Sequence, residues 1–304
     1  MSKIFVALST FAKEGDAPLK LLKNSGLEFA VNMTGKRLDA AGVIKAVQGY
    51  DGVVAGLEPY DAAVLSTLPK LKCISRCGVG VDNVDMAAAK SQGIKVLNTP
   101  FVVIQPVAEL TLALIFDCLR KTTAHALSMR QKKWERLTGS QLAGKTVGVI
   151  GLGRIGTRVA ELLTALGAKV VGYDIQPNVP WALGKGIELK SFYDVLAVSD
   201  IVTLHVMGSP FCVGAEELAH MKKGALLINT ARGSCVDEAA LVAALKSGHL
   251  SGAGLDVYDK EPYDGVLCEM SNVILTPHIA TLTQESRLEM ELEAVNNILE
   301  FFRK

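Results

Sequence analysis

The first hundred residues alternate short runs of apolar, β-branched residues with segments of helical periodicity. The pattern predicts helices over 17–23, 40–47, 62–67 and 85–92, set between strands over 4–8, 27–32, 52–55, 71–75 and 95–97. Strands that alternate with crossover helices form parallel sheets. This part of the chain is therefore predicted to be an α/β domain with a parallel sheet.

A second alternating series begins after Lys145. Its strands are predicted over 147–150, 170–173, 201–205, 225–229, 252–257 and 273–275. Apolar residues then recur at intervals of three and four, which predicts an amphipathic C-terminal helix carrying Leu288, Leu292, Val295, Leu299 and Phe302. We predict the α/β fold class, with two Rossmann-like, doubly wound parallel-sheet domains.

Pro100 and Pro106 mark a break between the two series. A helix is predicted from about residue 107 to residue 120, with Pro106 in its first turn. This helix is apolar on nearly all sides. We therefore expect it to be buried on most sides, at an interface between domains or subunits.

Length and composition agree with a two-domain protein and exclude some functions. The chain has 304 residues, of which 49% are hydrophobic, and its formal charge is +1. Nucleic-acid binding normally needs a basic surface, so no nucleic-acid partner is expected. The most apolar stretch, 107–119, contains Glu109 and Asp117 and is shorter than a membrane span, and the N-terminus is expected to be a first strand, not an export signal. A soluble, cytoplasmic protein is expected.

The six cysteines are scattered along the chain without a C-x-x-C pair: Cys73, Cys77, Cys118, Cys212, Cys235 and Cys268. This spacing argues against a zinc site and against a disulfide framework, so no metal is expected. The cysteines are expected to be small, buried or half-buried residues.

The second series opens with a dinucleotide-binding pattern. The strand at 147–150 runs into Gly151-Leu152-Gly153-Arg154-Ile155-Gly156, and a helical stretch follows. Gly151 permits a tight turn, Gly153 lets the backbone approach a pyrophosphate, and Gly156 allows close helix-to-strand packing. The helix N-terminus offers N–H groups to the phosphates.

The next strand ends at Asp174, 18 residues after Gly156. A carboxylate there can accept hydrogen bonds from the ribose hydroxyls and would repel a 2′-phosphate, which favours NAD over NADP. A structural alternative is that the glycines only form a tight turn and that Asp174 is a solvated strand end.

Three later strands deliver an arginine, a glutamate and a histidine. Arg232 follows 225–229, Glu261 follows 252–257, and His278 follows 273–275. Open α/β sheets bind ligands at these strand ends. The arginine can hold carboxylate and carbonyl oxygens, the histidine can exchange a proton, and the glutamate can stabilise the charged imidazole. Each residue taken alone has a structural explanation, as a surface charge, a turn acid or a loop histidine.

Together these segments resemble the D-isomer-specific 2-hydroxyacid dehydrogenases. The resemblance covers nearly the whole chain, and the matching segments are 75–85, 151–156, 221–241, 254–262 and 276–280. It implies a substrate domain of residues 1–98 and 277–304, with an inserted NAD-binding domain of residues 99–276. It also implies an active site between the domains and a homodimer formed through the cofactor domains.

The resemblance assigns roles to individual residues. Arg232 orients the substrate, His278 is the general acid/base, and Glu261 supports it. The remaining cofactor contacts that it implies are Arg154, Ile155, His205, Val206, Thr230, Ala231 and Asp256. Gly78, Val79 and Gly80 resemble the cradle for the substrate carboxylate, because small residues expose backbone N–H groups to an anion.

Arg76, just before this cradle, resembles the arginine that reaches the substrate phosphate in phosphoglycerate dehydrogenases. A guanidinium can donate two parallel hydrogen bonds to phosphate oxygens. The alternative is a structural ion pair with Asp82 or Asp85. A second cation is missing from 52–60, where phosphate-handling relatives have another arginine.

The sequence departs from the family pattern in two places. The family usually has His-x-Pro-Leu-Thr where this chain has His205-Val206-Met207-Gly208-Ser209-Pro210. The sequence also stops at Lys304, so we expect no C-terminal regulatory domain and no serine feedback through one.

The expected function is NAD-dependent hydride transfer on a small D-2-hydroxy acid, with 3-phosphoglycerate and phosphohydroxypyruvate as the first substrates to consider. A glyoxylate or hydroxypyruvate reductase is the alternative. Formate dehydrogenases carry Gln where this chain has Glu261, which argues against that activity. A non-catalytic, NAD-sensing scaffold stays open as a different class.

Overall fold

The structure is a computed structural model, and it describes residues 2–206 and 213–303. The β-strands of this part are β1 Lys3–Val6, β2 Glu28–Val31, β3 Gly52–Ala55, β4 Cys73–Arg76, β5 Lys95–Leu97, β6 Thr146–Ile150, β7 Lys169–Tyr173, β8 Glu188–Leu189, β9 Ile201–Leu204, β10 Ala225–Asn229, β11 Leu250–Leu255 and β12 Val273–Leu275.

The α-helices are α1 Ala17–Lys23, α2 Ala40–Val47, α3 Ala62–Ser66, α4 Met86–Ser91, α5 Ile104–Arg120, α6 Thr122–Arg130, α7 Arg154–Ala165, α8 Val179–Gly184, α9 Phe192–Val198, α10 Ala215–His220, α11 Glu238–Lys246 and α12 Gln284–Arg303. Short 3₁₀ helices cover Gly233–Cys235 and Val266–Glu269.

The chain divides into two compact units. The first comprises Met1–Val103 and Thr281–Lys304, and its parallel sheet has the order β2-β1-β3-β4-β5. Helix α12 packs on this sheet, and the Ser75 hydroxyl donates a hydrogen bond of 2.7 Å to the carbonyl of Ala294. Gly52 leaves room for the helix, because a Cβ there would lie 2.6 Å from the Phe302 ring. The C-terminal helix therefore completes the first unit, although it is distant in sequence.

The second unit is Ile104–Ala280. Its parallel sheet has the order β12-β11-β10-β9-β6-β7-β8, and the strand order reverses between β6 and β9. Open α/β sheets bind ligands at the carboxyl ends of the strands next to such a reversal. The turn after Ile150 and the segment after Leu204 begin at this point. The predicted fold class, with two doubly wound parallel-sheet domains, is confirmed.

The division between the units falls after Val103 and after Ala280, whereas the sequence predicts domain boundaries after residues 98 and 276. Hydrogen bonds near both boundaries agree with this division. The N–H and hydroxyl of Thr99 bond to the carbonyl and N–H of Gly78, which ties Thr99 to the first unit. The N–H groups of Ile279 and Ala280 donate to Asp256, which ties them to the second.

Helix α5 begins earlier than predicted, at Ile104, and most of its residues are buried or half-buried, as predicted. It packs against α7 and the strands β10 to β12, with Val107, Thr111 and Leu114 on the buried face. Phe116 lies on the opposite face and is partly exposed. The exposed residues of the helix form a narrow stripe of mixed polarity: Gln105, Glu109, Ala113, Phe116 and Arg120.

The cysteines differ in one respect from expectation. Cys73, Cys77 and Cys235 are buried and Cys118 is half-buried, but Cys268 is exposed, and Cys212 lies outside the described residues. Within 2–206 and 213–303, no group of three or more His, Cys, Asp or Glu side chains is arranged to hold a metal ion. The same ranges contain no helix that is both long and apolar enough to cross a bilayer.

Candidate active site

The turn between β6 and α7 can be built only with glycine at two positions. Gly151 has φ +91°, and a Cβ on it would lie 2.6 Å from the carbonyl oxygen of His205. A Cβ on Gly156 would overlap the carbonyl oxygen of Gly151. The first turn of α7 thus packs directly on the end of β6, as the sequence predicts.

Gly153 has a different environment. It precedes α7, its φ is an ordinary −71°, and no heavy atom of the described residues lies within 4 Å of the position that a Cβ would take. Arg154 and Ile155 open the helix, where the first N–H groups have no carbonyl partner within the helix. The surface over Gly153 is therefore open to a ligand, and these residues fit a dinucleotide pyrophosphate.

Asp174 lies directly after β7, beside the glycine turn. Its Oδ2 accepts a hydrogen bond of 2.7 Å from the N–H of Leu152, and its Oδ1 accepts one of 2.8 Å from the N–H of Gln176. The carboxylate is half-buried, and the neighbouring residues 175–177 carry no cation. This arrangement fixes a negative charge next to the turn, where the adenosine ribose of a bound dinucleotide would lie.

His205 follows β9, the strand next to β6, and packs against the glycine turn. Its carbonyl lies against Gly151, and its ring Nε2 lies 2.9 Å from the hydroxyl of Thr203. Burial lowers the pKa of His205 to about 3, so the ring is neutral near pH 7. Val206 also lies against Gly151, whereas Met207 to Pro210, the rest of the departure from the family pattern, lie outside the described residues.

Arg232 is carried by a short loop that Asn229 holds in place. Asn229 accepts a hydrogen bond of 3.0 Å from the N–H of Ala231 and donates one of 2.8 Å to the carbonyl of Arg232. The Arg232 Nη1 donates to the carbonyl of Ala231 at 2.7 Å. The hydroxyl of Thr230 lies 2.9 Å from that of Thr111 on α5. The loop after β10 is therefore anchored before any ligand binds.

Glu261 and His278 form a direct pair. His278 Nδ1 lies 2.8 Å from Glu261 Oε2, and the two side chains keep 42% and 34% of their surface exposed. The hydrogen bond places Nε2 on the other side of the imidazole ring, where it can reach a ligand. This geometry suits a histidine that exchanges protons while a carboxylate stabilises its charged form.

Asp256 anchors the segment that carries His278. This buried carboxylate accepts hydrogen bonds from the Thr276 hydroxyl at 2.6 Å and from the N–H groups of Ile279 and Ala280 at 2.8 and 3.0 Å. Burial raises the pKa of Asp256, although these donors oppose the shift. His278 has φ +54°, a left-handed conformation that costs about 1 kcal/mol, and the bonds to Asp256 hold it there.

Gly233 is a site residue to which the sequence analysis gave no role. A Cβ on Gly233 would overlap the backbone between Tyr258 and Asp259. The loop that carries Arg232 thus contacts the loop that leads to Glu261. The available signal was a glycine directly after a candidate arginine.

Residues Gly78, Val79 and Gly80 form a glycine loop in the first unit, and hydrogen bonds to Thr99 and Asn98 hold it in place. Gly78 has φ +139°, and its N–H donates to the Thr99 hydroxyl at 2.8 Å, while Asn98 donates to the carbonyl of Val79 at 2.8 Å. Among the described residues, the N–H groups of Val79 and Gly80 have no hydrogen-bond partner. These N–H groups suit an anion.

Arg76 lies against this loop. Its Nη1 donates to the carbonyl of Cys77, and its guanidinium occupies the place that a Cβ on Gly78 would take. Asp85, one of the two carboxylates expected as alternative partners, caps α4 by accepting the N–H of Ala88. The structure thus shows a contact between Arg76 and the glycine loop itself.

Comparisons with known proteins agree with these features. Residues 112–280 match the family model described as D-isomer specific 2-hydroxyacid dehydrogenase, NAD binding domain. The D-3-phosphoglycerate dehydrogenase of Mycobacterium tuberculosis is 44% identical over 252 residues, which are 81% of this chain and 48% of that protein. The chain thus spans about half the length of the curated phosphoglycerate dehydrogenases that it matches.

Two further relatives are matched over most of their length. A glyoxylate reductase of Korarchaeum cryptofilum is 35% identical over 86% of this chain and 82% of that protein. The crystal structure of the TT0316 protein from Thermus thermophilus superposes with a TM-score of 0.90 at 36% identity, covering 99% of this chain and 97% of that one. This chain belongs to the D-isomer-specific 2-hydroxyacid dehydrogenase family, and residues 112–280 correspond to its NAD-binding domain.

Proposed function

We propose that this protein is an NAD-dependent oxidoreductase that transfers a hydride between nicotinamide and a small D-2-hydroxy or 2-oxo acid. The observation that carries the proposal is the hydrogen bond of 2.8 Å between His278 and Glu261, in the same unit as the glycine turn. An imidazole held by a carboxylate can supply or accept the proton that accompanies hydride transfer to or from a carbonyl carbon.

The residues divide the reaction between them. A bound nicotinamide supplies the hydride to C2 of a 2-oxo acid in reduction and takes it from C2 of the hydroxy acid in oxidation. Arg232 holds the carboxylate and the carbonyl oxygen, so that C2 has a fixed orientation. His278 starts reduction protonated and gives its Nε2 proton to the carbonyl oxygen, which becomes the hydroxyl. Glu261 stabilises the charged imidazole before this transfer.

The first unit is proposed as the substrate-binding domain, with Gly78, Val79 and Gly80 as the carboxylate cradle. The N–H groups of Val79 and Gly80 support this role. The candidate substrates share the carboxylate and the oxygen on C2, and they differ in the tail beyond C2.

For the substrate itself we propose 3-phosphoglycerate and phosphohydroxypyruvate, supported by the 44% identity to phosphoglycerate dehydrogenases. Glyoxylate or hydroxypyruvate is the second candidate, favoured by one observation. Glu58 is a buried carboxylate that accepts the N–H of Gly56, and the side chain of Asn83 donates to the carbonyls of Gly56 and Glu58. A carboxylate within 52–60, where phosphate-handling relatives have an arginine, is unfavourable for a phosphate tail.

The decisive experiment is a turnover assay of the purified protein with NAD or NADH and a panel of 2-hydroxy and 2-oxo acids. Reduction of at least one 2-oxo acid is expected. Failure of every acid on the panel, together with measurable NADH binding, would favour the NAD-sensing scaffold.

The Arg76→Ala substitution tests the phosphate assignment. We expect it to raise the KM for phosphohydroxypyruvate at least about tenfold, or ~1.4 kcal/mol, and to change the KM for glyoxylate little, because glyoxylate has no tail to hold. The matched control is Arg37→Ala, since Arg37 also donates to a loop carbonyl of the first unit, that of Leu57. Equal losses on both acids would mean that Arg76 supports the glycine loop, and would favour the unphosphorylated substrates.

Asp174 is expected to set the preference for NAD over NADP. Asp174→Ala should reduce the ratio of kcat/KM for NADH over NADPH by about tenfold or more, because it removes the charge that repels a 2′-phosphate. Asp174→Asn is the control, since it removes the charge but keeps an oxygen acceptor for the backbone of Leu152 or Gln176. Comparable efficiency with NADPH in the unmodified protein would contradict the assignment.

We also propose a homodimer formed through the second unit. The residues after α5 expose large apolar side chains, including Leu127, Met129 and Trp134, the last with 81% of its surface exposed. Exposed apolar surface of sufficient area is characteristic of interfaces, so these side chains are proposed to contact the second copy. The mass of the particle in solution tests this assignment. The absence of nucleic-acid and membrane partners and the cytoplasmic location stay predictions.

A further inference from the structure

Two tyrosines, one on each side of Glu261 in the sequence, stack on each other and join the ends of the loop that carries it. Tyr258 and Tyr263 flank Glu261, and their rings stack with centroids 4.4 Å apart and planes 16° from parallel. Offset or stacked aromatic pairs stabilise a local conformation beyond the area that they bury. The stack brings the two ends of the 258–263 segment together, with Glu261 between them.

Each ring is also held at its hydroxyl. The Tyr258 hydroxyl lies 3.2 and 3.0 Å from the carbonyls of Leu255 and Thr276. The Tyr263 hydroxyl donates a hydrogen bond of 2.7 Å to Glu238 Oε1, on the first turn of α11, and accepts one of 3.3 Å from the N–H of Leu267. Burial and the bond to Glu238 raise the pKa of Tyr263 to about 12, so this hydroxyl stays protonated in assay buffers.

Within 2–206 and 213–303, two hydrogen bonds hold the side chain of Glu261. Its Oε1 accepts a hydrogen bond of 3.2 Å from the N–H of Tyr258, and its Oε2 meets His278. The side chain is about one-third exposed, so water competes for it. The position of the backbone at Glu261 therefore decides how well its carboxylate meets the imidazole.

We propose that Tyr263 and Glu238 form a clasp that positions Glu261 against His278, and that the clasp thereby sets the upper pH limit of 2-oxo acid reduction. Both are positioning residues, because they act through Glu261. The inference rests on the proposed function of the Glu261–His278 pair, and it adds two residues to which that function gives no role.

Removal of the Tyr263 hydroxyl tests the Tyr263–Glu238 hydrogen bond alone, because the substitution removes no charged side chain. The titratable groups that face the loop or belong to it are Glu238, Asp256, Tyr258, Cys268, Glu261 and His278, with Asp259 and Lys260 exposed on the loop itself. All of them are retained in Tyr263→Phe, and the ring stack is retained as well. A shift in the pH profile of this variant thus reports the geometry of the pair.

The test measures kcat/KM for reduction of the best 2-oxo acid against pH. We expect Tyr263→Phe to move the fall in rate to lower pH by about 0.5 unit, the size that follows if part of one hydrogen bond is lost from the ion pair. The KM should change by less than about twofold, because the substrate contacts are intact. Tyr193→Phe is the matched control, since Tyr193 makes a similar bond of 3.2 Å to Glu217 elsewhere in the same unit.

Two variants of Glu238 distinguish the effect of the Tyr263–Glu238 hydrogen bond from the effect of the Glu238 charge. Glu238→Ala should reproduce the shift, whereas Glu238→Gln, whose amide oxygen can still accept from Tyr263, should recover most of the original profile. A profile of Tyr263→Phe equal to that of the unmodified protein, or an equal shift in Tyr193→Phe, would overturn the proposal.

A second measurement tests the clasp without an assay of enzyme turnover. The His278 ring is followed by NMR during a pH titration of the NADH-bound protein, and the same downward displacement of its midpoint is expected in Tyr263→Phe. If no 2-oxo acid is reduced, the proposed function fails while this titration still decides the clasp. An unmoved midpoint would overturn the clasp even in an active enzyme.

Discussion

Substitution of His278 by glutamine is expected to lower kcat for both reduction and oxidation by about 10²- to 10⁴-fold, the usual contribution of a positioned general acid/base. Glutamine keeps a polar side chain but cannot carry the proton. NADH binding should be unchanged, because the glycine turn lies at other strand ends. Steady-state kinetics and fluorescence titration with NADH measure the two effects separately.

The left-handed backbone at His278 requires a control. Asparagine adopts this conformation more readily than glutamine, so His278→Asn tests whether backbone strain contributes to the loss. Similar losses in both variants would identify the imidazole as the source. Turnover within about tenfold of the unmodified enzyme in either variant would contradict the role of His278 as the acid/base.

Glu261→Gln should leave the enzyme active and change its pH dependence. In reduction His278 must start protonated, so the rate is present at low pH and is lost as pH rises. Without its carboxylate partner the imidazole loses its proton more easily, and the fall in rate moves to lower pH. His205 does not contribute to this profile near neutral pH, because its pKa is about 3. An unchanged profile would mean that Glu261 does not govern the proton on His278.

Local chemistry explains why much of the fold could be predicted from sequence. The glycine turn could be predicted because its constraints act within a few residues. Gly151 has a positive φ, and Gly156 packs so closely on the Gly151 carbonyl that no side chain fits there. Several elements, such as α2 and β10, have the predicted bounds. Helices α6 and α8 to α11 were not predicted individually; α6 lacks a clear apolar face, and α8 has only six residues.

The parts that sequence could not supply depend on distant packing. The guanidinium of Arg76 lies where a side chain on Gly78 would be, so its conformation depends on that glycine. Gly233 packs against the backbone at Tyr258, about 25 residues further along the chain. The stacked tyrosines around Glu261 belong to a segment without periodicity. The hydrogen bond between Glu261 and His278 is present in the structure, whereas their part in the reaction stays a prediction.

The last glycine of the turn and its central glycine should respond differently to an added methyl group. Gly156→Ala is expected to destabilise the second unit by about 3 kcal/mol, because its Cβ would overlap the Gly151 carbonyl and the backbone must move. The midpoint of thermal unfolding should fall by several degrees. Gly153→Ala should leave that midpoint nearly unchanged, since its φ is ordinary and its Cβ meets no described atom within 4 Å.

The contrast appears when NADH is added. A methyl group on Gly153 stands where the pyrophosphate must approach the backbone, so Gly153→Ala should weaken NADH binding by about tenfold or more, equivalent to ~1.4 kcal/mol. Gly184→Ala is the matched control, because Gly184 also has free space around its Cα among the described residues but lies on α8. Calorimetric titration with NADH and thermal unfolding of all three variants complete the test. Native affinity in a folded Gly153→Ala variant would show that the dinucleotide does not lie over this turn, because a pyrophosphate bound there could not avoid the added methyl group.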